Sequence, residues 1–236
     1  MLRSVAAAVI VLCGALPAAM PALSFSDLMR SMRSFQESRL LLTAVELDIF
    51  TAVGTGASCA DVAERLNANP RATEKLLNAL VAVGALTKQD GAFRNTPDTA
   101  RYLVAGSPEY ARPALMHTVH MWNSWSSLTR IVRAGTAEGR PMDGGDSQQT
   151  ESFIAAMHRN AETAAREVVQ AVGADGVRRM LDVGGGSGAY SIAFAKASPD
   201  IRAEVLDLPS VVPIAQQFIN APGLSERITT GTGDLD

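Results

Sequence analysis

The chain has 236 residues, of which 47% are hydrophobic and 19% charged, and its formal net charge is −3. This length leaves room for one large domain or two modest ones, and the hydrophobic fraction disfavours a disordered chain. The Lys and Arg residues are scattered rather than clustered, which argues against nucleic acid as the main partner. The two cysteines, Cys13 and Cys59, indicate neither a disulfide framework nor a zinc site, so a reducing compartment is the default.

The N-terminus allows two interpretations. Arg3 precedes an almost wholly apolar run over residues 5–19, which is typical of a signal peptide and is too short and too often broken by Gly and Pro for a membrane span. Alternatively, translation starts at Met20 and the first 19 residues are an upstream extension. Residues 1–20 are thus an apolar leader on the first interpretation and a wrongly assigned start on the second. A genuine signal peptide over residues 1–22 predicts export, whereas a start at Met20 predicts a cytoplasmic protein.

Helices are predicted for the first part of the chain. Apolar residues recur at intervals of three, four or seven over residues 26–54, the spacing that places them on one face of a helix. Ser58 and Asp61 then form a capping box, which predicts the start of a helix that runs through Leu66.

A further helix and a hairpin are predicted next. Asn69-Pro70 opens a helix with an apolar face, and Gly84 ends it. The Asp90-Gly91 pair is typical of a hairpin turn between two short strands, and Thr96-Pro97 starts another short helix. Two helices followed by a hairpin indicate a winged-helix domain, which we place over residues 21–105.

The pattern changes its period along the second half of the chain. Residues 106–175 are predicted to be connecting helices, broken at Pro113, Gly135 and 140–146. From residue 176 onwards, short apolar strands alternate with helices, which is typical of a parallel, doubly wound α/β sheet. The three predicted strands cover residues 179–183, 203–206 and 228–230.

A glycine-rich loop, Asp-Val-Gly-Gly-Gly-Ser-Gly at 182–188, follows the first of these strands. Glycines let the backbone turn tightly and approach a ligand where any Cβ would collide. Asp207 ends the next strand, 23 residues after Gly184, where a carboxylate can accept two hydrogen bonds from a ribose diol. The alternative is a plain glycine turn, with Asp207 capping the helix that begins near Pro209. The alternating glycines differ from the dinucleotide-binding pattern and favour a nucleoside cofactor whose amino-acid part lies along the loop.

Five segments, in this order, resemble the small-molecule O-methyltransferases of the caffeate and acetylserotonin type. The resemblance implies a mainly α, winged-helix dimerisation domain followed by an α/β Rossmann-like methyltransferase domain. It also implies S-adenosyl-L-methionine as cofactor, a small, aromatic hydroxyl acceptor, a homodimer formed through the N-terminal domain, and neither a nucleic-acid nor a membrane partner. Because the resemblance begins near Met20 and such enzymes are cytosolic, we favour Met20 as the start. The five segments are residues 34–50, 78–84, 181–188, 205–209 and 233–235.

The resemblance also assigns the cofactor contacts. Gly184 and Gly186 would approach the methionine part of the cofactor, with Gly188 leaving room at the start of the following helix. Asp207 would hold the ribose hydroxyls. The adenine contacts would be Asp234, which would accept from the amino group, and Leu235, which would pack on the ring.

The resemblance also assigns residues that would contact the methyl acceptor, and for each of them a position in the hydrophobic core is the alternative. Phe153 and Met157 would face the acceptor and the reactive methyl group, although their i, i+4 spacing is equally that of a core-facing stripe. Trp122 is a further substrate-lining candidate, again with a core position as the alternative. The three histidines, His117, His120 and His158, have no orienting carboxylate in a recognisable motif, and we interpret them as structural.

No catalytic residue and no metal ligand is assigned. In the resembled family the base is a histidine on a segment after the fourth strand, and the sequence stops at Asp236, before such a segment. We therefore expect an incomplete methyltransferase domain with little activity alone, since a general base contributes about 10² to 10⁴-fold in rate. The strand at 179–183 would be an uncovered apolar edge. The alternatives are an inactive cofactor-binding and dimerisation remnant, and a DNA-binding regulator that uses helix 71–83 of the winged helix at 58–104.

Overall fold

The computed structural model describes residues 22–136 and 147–233. Within these ranges the chain forms helices α1 to α11 and strands β1 to β6. The helices are α1 (Phe25–Arg33), α2 (Phe35–Glu46), α3 (Ile49–Val53), α4 (Cys59–Arg65), α5 (Pro70–Ala82), α6 (Pro97–Leu103), α7 (Arg112–Ser126), α8 (Leu128–Ala134), α9 (Ser147–Val172), α10 (Ala189–Ala197) and α11 (Val212–Asn220). The strands are β1 (Ala57–Ser58), β2 (Leu86–Gln89), β3 (Ala92–Asn95), β4 (Arg179–Val183), β5 (Arg202–Asp207) and β6 (Ile228–Thr232).

The predicted helical segment 26–54 is divided into α1, α2 and α3. A capping box starts α1, because the Ser24 hydroxyl accepts from the Asp27 amide and the Asp27 carboxylate accepts from the Ser24 amide. Asp48, which lies between α2 and α3, adopts a left-handed conformation with φ 57°, and the helical path changes there. The chain divides into two compact units after Ser38, so that α1 belongs to the first unit and α3 to the second.

A small antiparallel sheet and helices α3 to α5 enclose the first hydrophobic core. The hairpin β2–β3 turns at Asp90-Gly91, both with positive φ, where the sequence predicts it. β1 adds a third strand beside β3, which the sequence did not reveal. The largest side chains of this core are at most 2% exposed, and they are Ile49, Phe50, Leu77, Leu80, Leu86 and Phe93.

Two of the predicted breaks in the connecting helices are observed, and the structure adds a third at Ser127, between α7 and α8. Pro113 lies in the first turn of α7, where a missing amide hydrogen costs nothing. Gly135, in a left-handed conformation, ends α8, and the predicted break at 140–146 lies outside the described residues. α9 packs along α7. None of the helices in the described ranges is both long enough and apolar enough to cross a membrane.

The second half contains a parallel sheet of order β4-β5-β6, as the strand–helix alternation predicts. Helices α10 and α11 connect the strands, and Val205, Ile219 and Ile228 are fully buried between sheet and helices. β4 is different, since Leu181 is 60% exposed and Val183 46%. In the described part of the chain only β5 pairs with β4, which therefore lies at the edge of the sheet.

Candidate functional site

The glycine loop between β4 and α10 adopts a backbone that other residues rarely tolerate. Gly184, Gly186 and Gly188 have φ of +66°, +56° and +72°, a left-handed region that strains residues with a Cβ. Gly185 cannot be replaced by a residue with a side chain for a different, steric reason. A Cβ on it would lie 2.8 Å from both Asp182 Cγ and Val205 Cγ1, so there is no space for one.

Gly188 occupies the N-cap position of α10 rather than the face of the loop. A Cβ there would approach Val205 Cγ2 to 3.1 Å, so its lack of a side chain lets α10 pack closely against β5. Gly188 does not line the cavity that lies beside the loop and is described below. In the described part of the chain, Gly188 therefore shapes the backbone of the loop and does not face the cavity.

Asp207 lies at the carboxyl end of β5, as predicted, and its carboxylate binds the backbone of the glycine loop. Oδ2 accepts from the Gly186 amide at 2.7 Å, and Oδ1 accepts from the Leu208 amide at 2.8 Å. Because a carboxylate oxygen has two lone-pair sites, each oxygen retains one for a further donor. The loop also donates a backbone hydrogen bond to β5, from Gly184 N to Leu206 O at 2.8 Å.

Beside this loop lies a cavity of about 850 Å³, a volume within the range of small-molecule and cofactor sites. One wall is the loop with the end of β5, and the opposite wall is α9. The residues that line it are Gln149, Thr150, Phe153, Ile154, Met157, Ala161, Asp182, Val183, Gly184, Gly185, Gly186, Ser187, Ala189, Tyr190, Asp207, Leu208, Ser210 and Val211.

The predicted site residues are brought together only in part. Phe153 and Met157 line the cavity together with Gly184, Gly186 and Asp207. Trp122 is not among the lining residues; it lies on α7, with the Arg39 guanidinium 5.6 Å from its ring centroid. Asp234 and Leu235 lie outside the described residues.

Two polar anchors of the site were not found from the sequence. The Ser191 hydroxyl donates to Asp182 Oδ2 at 2.8 Å, and Ser191 is completely buried. His158 Nδ1 lies 2.8 Å from the oxygen of Ser187, within the glycine loop. Burial lowers the pKa of His158 from its ordinary value, with Glu162 opposing this shift and Lys196 adding to it.

Neither anchor has a sequence signal as clear as the glycines. Asp182 and Ser191 are separated by most of the loop, and His158 is 29 residues from its partner. His120 likewise bonds to a serine of another helix, with its Nδ1 2.9 Å from the buried Ser152 oxygen. A structural role for His120 and His158 therefore has a specific hydrogen-bond partner in each case, Ser152 for His120 and Ser187 for His158.

A glycine loop between a parallel strand and a helix, held by a carboxylate from the next strand, defines the class of nucleoside-cofactor-binding α/β proteins. Comparison with known proteins narrows the class. Residues 29–105 match the family profile described as the O-methyltransferase dimerisation domain, and residues 125–236 match the O-methyltransferase domain.

Individual relatives agree with these profiles. A 3-hydroxy-5-methyl-1-naphthoate 3-O-methyltransferase from Streptomyces sahachiroi is 34% identical over 207 residues, which are 84% of this chain and 60% of that protein. An O-methyltransferase family protein from Burkholderia thailandensis has a similar structure, with TM-score 0.77 and 29% identity over 91% of this chain and 65% of the other. Human N-acetylserotonin methyltransferase, solved in complex with S-adenosylmethionine, gives TM-score 0.73 and 25% identity over 92% and 68%.

The chain belongs to the S-adenosyl-L-methionine-dependent O-methyltransferase family, because both of its matched regions are domains of that family. The predicted family membership is thereby confirmed. The family's cofactor is S-adenosyl-L-methionine. The chain spans 60% to 66% of the length of three curated relatives that it matches.

Proposed function

We propose that the chain binds S-adenosyl-L-methionine in the cavity beside the glycine loop and contributes to methylation of a hydroxyl on a small aromatic molecule. The observation that carries this proposal is the place of Asp207, whose carboxylate both closes the loop and lines the cavity. Its two oxygens accept backbone hydrogen bonds and keep one free lone-pair site each. Two adjacent acceptors suit the two hydroxyls of a ribose.

The surrounding residues suit the rest of the cofactor. Gly184 and Gly186 present bare backbone to the cavity, so that an extended amino-acid moiety can lie against them without meeting a Cβ. Asp234 and Leu235 stay the proposed adenine contacts, since they follow β6, the strand beside β5. When bound, the cofactor supplies a methyl group activated by its positively charged sulfur.

We assign the acceptor side to Phe153 and Met157. Both line the cavity from α9, opposite the loop, and apolar walls with few polar groups are typical of sites for aromatic molecules. The relative that methylates a hydroxynaphthoate supports an aromatic hydroxyl. Trp122 is left out of this proposal because it is not among the residues of the cavity wall.

No general base is assigned within the described residues. The carboxylates in the cavity wall there are Asp182 and Asp207, and each already accepts the hydrogen bonds that shape the loop. The wall contains no histidine in the described ranges. Deprotonation of a hydroxyl needs a base within hydrogen-bond reach, so the described residues leave the base of the proposed reaction unassigned.

We further propose that the helices and hairpin over residues 57–103 form a winged-helix unit used for dimerisation rather than for DNA binding. Leu77 and Leu80 of α5 are buried, and among its exposed charges Glu74 lies between Arg71 and Lys75. A helix whose exposed face carries charges of both signs is poorly suited to a major groove. Light scattering should report a dimer, and anisotropy with a labelled DNA duplex should show no tight, salt-dependent binding; such binding would favour the regulator.

Calorimetric titration with S-adenosylhomocysteine tests the cofactor site. The wild-type chain should bind, and Asp207→Ala should weaken binding by about tenfold or more, because it removes a charged acceptor from loop and ligand. Asp200→Ala is the matched control, since Asp200 is an exposed aspartate in the turn just before β5. Equal heats from wild type and Asp207→Ala would overturn the assignment.

A second titration tests the acceptor side with 2-naphthol as probe, in protein saturated with S-adenosylhomocysteine. Met157→Ala should weaken 2-naphthol binding, whereas Val168→Ala should not. Both side chains are 37% exposed and lie on α9, but only Met157 is in the cavity wall. An equal effect of the two substitutions would contradict the assignment.

A further inference from the structure

His158 connects α9 to the glycine loop through one partly buried hydrogen bond. Its Nδ1 lies 2.8 Å from the hydroxyl oxygen of Ser187, a residue that is only 3% exposed. A serine hydroxyl both donates and accepts, so the bond forms with either tautomer of the neutral imidazole. Leaving such a buried hydroxyl without a partner costs more than the bond itself contributes, which makes the contact specific.

The His158 ring is itself held in place. It lies against the ring of Phe218 from α11, with 4.3 Å between centroids and 30° between planes. Its Nε2 faces Glu162 at 3.9 Å, one turn further along α9. Contacts on a ring face and at both nitrogens restrict the side-chain rotamer, so His158 can hold its partner in one position.

Two residues of α9, one turn apart, meet the loop. Ile154 Cδ1 lies 3.7 Å from the point where a Cβ of Gly186 would be, and His158 bonds to the next residue, Ser187. On the other side, the Asp207 carboxylate holds the Gly186 amide. The middle of the loop is therefore held at adjacent residues by two elements, β5 through Asp207 and α9 through His158.

We propose that His158 is a positioning residue, which holds the glycine loop through Ser187 and connects the loop to the helix that carries the acceptor-facing side chains. Met157 is its immediate neighbour on α9, so the same helix segment that lines the acceptor side also anchors the cofactor loop. The consequence for the cofactor rests on the function proposed above. The mechanical part, that His158 restrains the loop, does not depend on it.

The first experiment measures the loop without any ligand. Amide hydrogen exchange at Gly186 and Gly188, which donate to Asp207 and to Gly185 O, should become severalfold faster in His158→Phe and in Ser187→Ala. His158→Asn should restore slow exchange, because an asparagine side chain offers a hydrogen-bonding group near the position of Nδ1, whereas Phe keeps only the ring contact with Phe218. Wild-type exchange rates in His158→Phe, or equally fast exchange in His158→Asn, would overturn the proposal.

His120→Phe is the matched control, since it removes a histidine–serine bond of similar length between two helices away from the loop. It should leave exchange at Gly186 and Gly188 unchanged. Thermal denaturation of each variant separates a local effect on the loop from a general loss of stability. An equal effect of the two histidine substitutions would assign the change to stability and contradict a positioning role.

The second experiment measures the Kd of S-adenosylhomocysteine in a double-mutant cycle. His158→Phe and Ser187→Ala should each weaken binding about three- to tenfold, and the double variant should be no weaker than the single ones. Additive losses would mean that Ser187 acts on the ligand without His158. If the wild type binds no S-adenosylhomocysteine while exchange still responds to His158→Phe, the proposed function fails and the positioning role stands.

Discussion

The two sheets of the molecule, each of three strands in the described residues, differ in how completely their apolar side chains are covered. In the antiparallel sheet β1-β3-β2, Leu86 and Phe93 are each 1% exposed. In the parallel sheet β4-β5-β6, Val205 is fully buried but Leu181 and Val183 of β4 are 60% and 46% exposed. The first sheet is covered within the described chain, and the second is covered on β5 and β6 only.

The glycine loop nevertheless follows β4, the strand of the parallel sheet whose apolar side chains are the most exposed. Besides Asp182 of β4, its conformation depends on groups outside that strand. They are the Asp207 carboxylate, the side chain of Val205, and Ile154 with His158 on α9. The burial of the side chains of a strand and the contacts that fix the loop after that strand are therefore separate properties. In the described residues, the loop is held by its neighbours in three dimensions although the strand that leads into it is exposed.

The largest expected effect tests the difference in coverage directly. Leu77→Ala in the first core should destabilise the chain by about 2 to 5 kcal/mol, because it leaves a cavity at a completely buried position. The matched change Leu181→Ala on β4 should cost less than about 1 kcal/mol, since that side chain is mostly in water. Urea denaturation measures both, and equal costs would contradict the contrast between the sheets.

Within the loop, Gly185→Ala should be more damaging than Gly184→Ala. A Cβ at Gly185 meets Asp182 and Val205 at 2.8 Å, and overpacking of that kind costs about 1 to 3 kcal/mol. A Cβ at Gly184 meets nothing within 4 Å, so only the positive φ is penalised, by about 1 kcal/mol. Denaturation curves with S-adenosylhomocysteine titrations check this; a milder effect at Gly185 would show that the loop is more compliant than its contacts indicate.

A third effect concerns the support of α10 on the parallel sheet. The Arg227 guanidinium donates to Ala195 O at 2.7 Å and Ser198 O at 3.0 Å, at the C-terminal end of α10. Arg227→Met should cost about 1 to 2 kcal/mol, because it removes a charged donor from helix carbonyls. Arg202→Met is the control, since the Arg202 contacts to carbonyls are longer, at 3.4 and 3.5 Å. A similar loss of stability in Arg202→Met would mean that the loss of a positive charge, and not of the short hydrogen bonds, causes the effect.

The smallest expected effect is a dependence of stability on pH. Burial lowers the folded-state pKa of His158 below its ordinary 6.5, so its contribution to stability is present above that pH. It is lost as the pH falls from about 6.5 through the lowered pKa, because the unfolded chain takes up the proton first. The melting temperature of the wild type should fall over this range more than that of His158→Phe; parallel curves for the two proteins would contradict the shift.

Much of the second half was predictable because its signals are local. The strands predicted at 179–183, 203–206 and 228–230 are observed as β4, β5 and β6, with bounds extended by at most two residues. A period of two within a strand and a turn signal after it depend on neighbours in the chain. The same holds for the capping boxes and for Asp90-Gly91 in the hairpin.

Features that depend on distant partners were missed. β1 is a strand of two residues that exists because Ala57 and Ser58 pair with β3, more than thirty residues later. Asn95 donates from its side chain to Phe50 O and Gly54 O, both at 2.9 Å, at the end of α3. Neither contact has a pattern in the surrounding sequence, because each joins segments that only folding brings together.

The sequence by itself determined the alternation of strands and helices in the second half, the glycine loop and the place of Asp207, since turn chemistry and the end of a strand are properties of short segments. Only the tertiary structure decided that Phe153 and Met157 lie in the cavity wall and that Trp122 does not. It also decided that His158 meets Ser187. Helical periodicity tells which residues share a face, but a hydrogen bond forms only within about 3 Å, and the packing of α9 against the loop sets that distance.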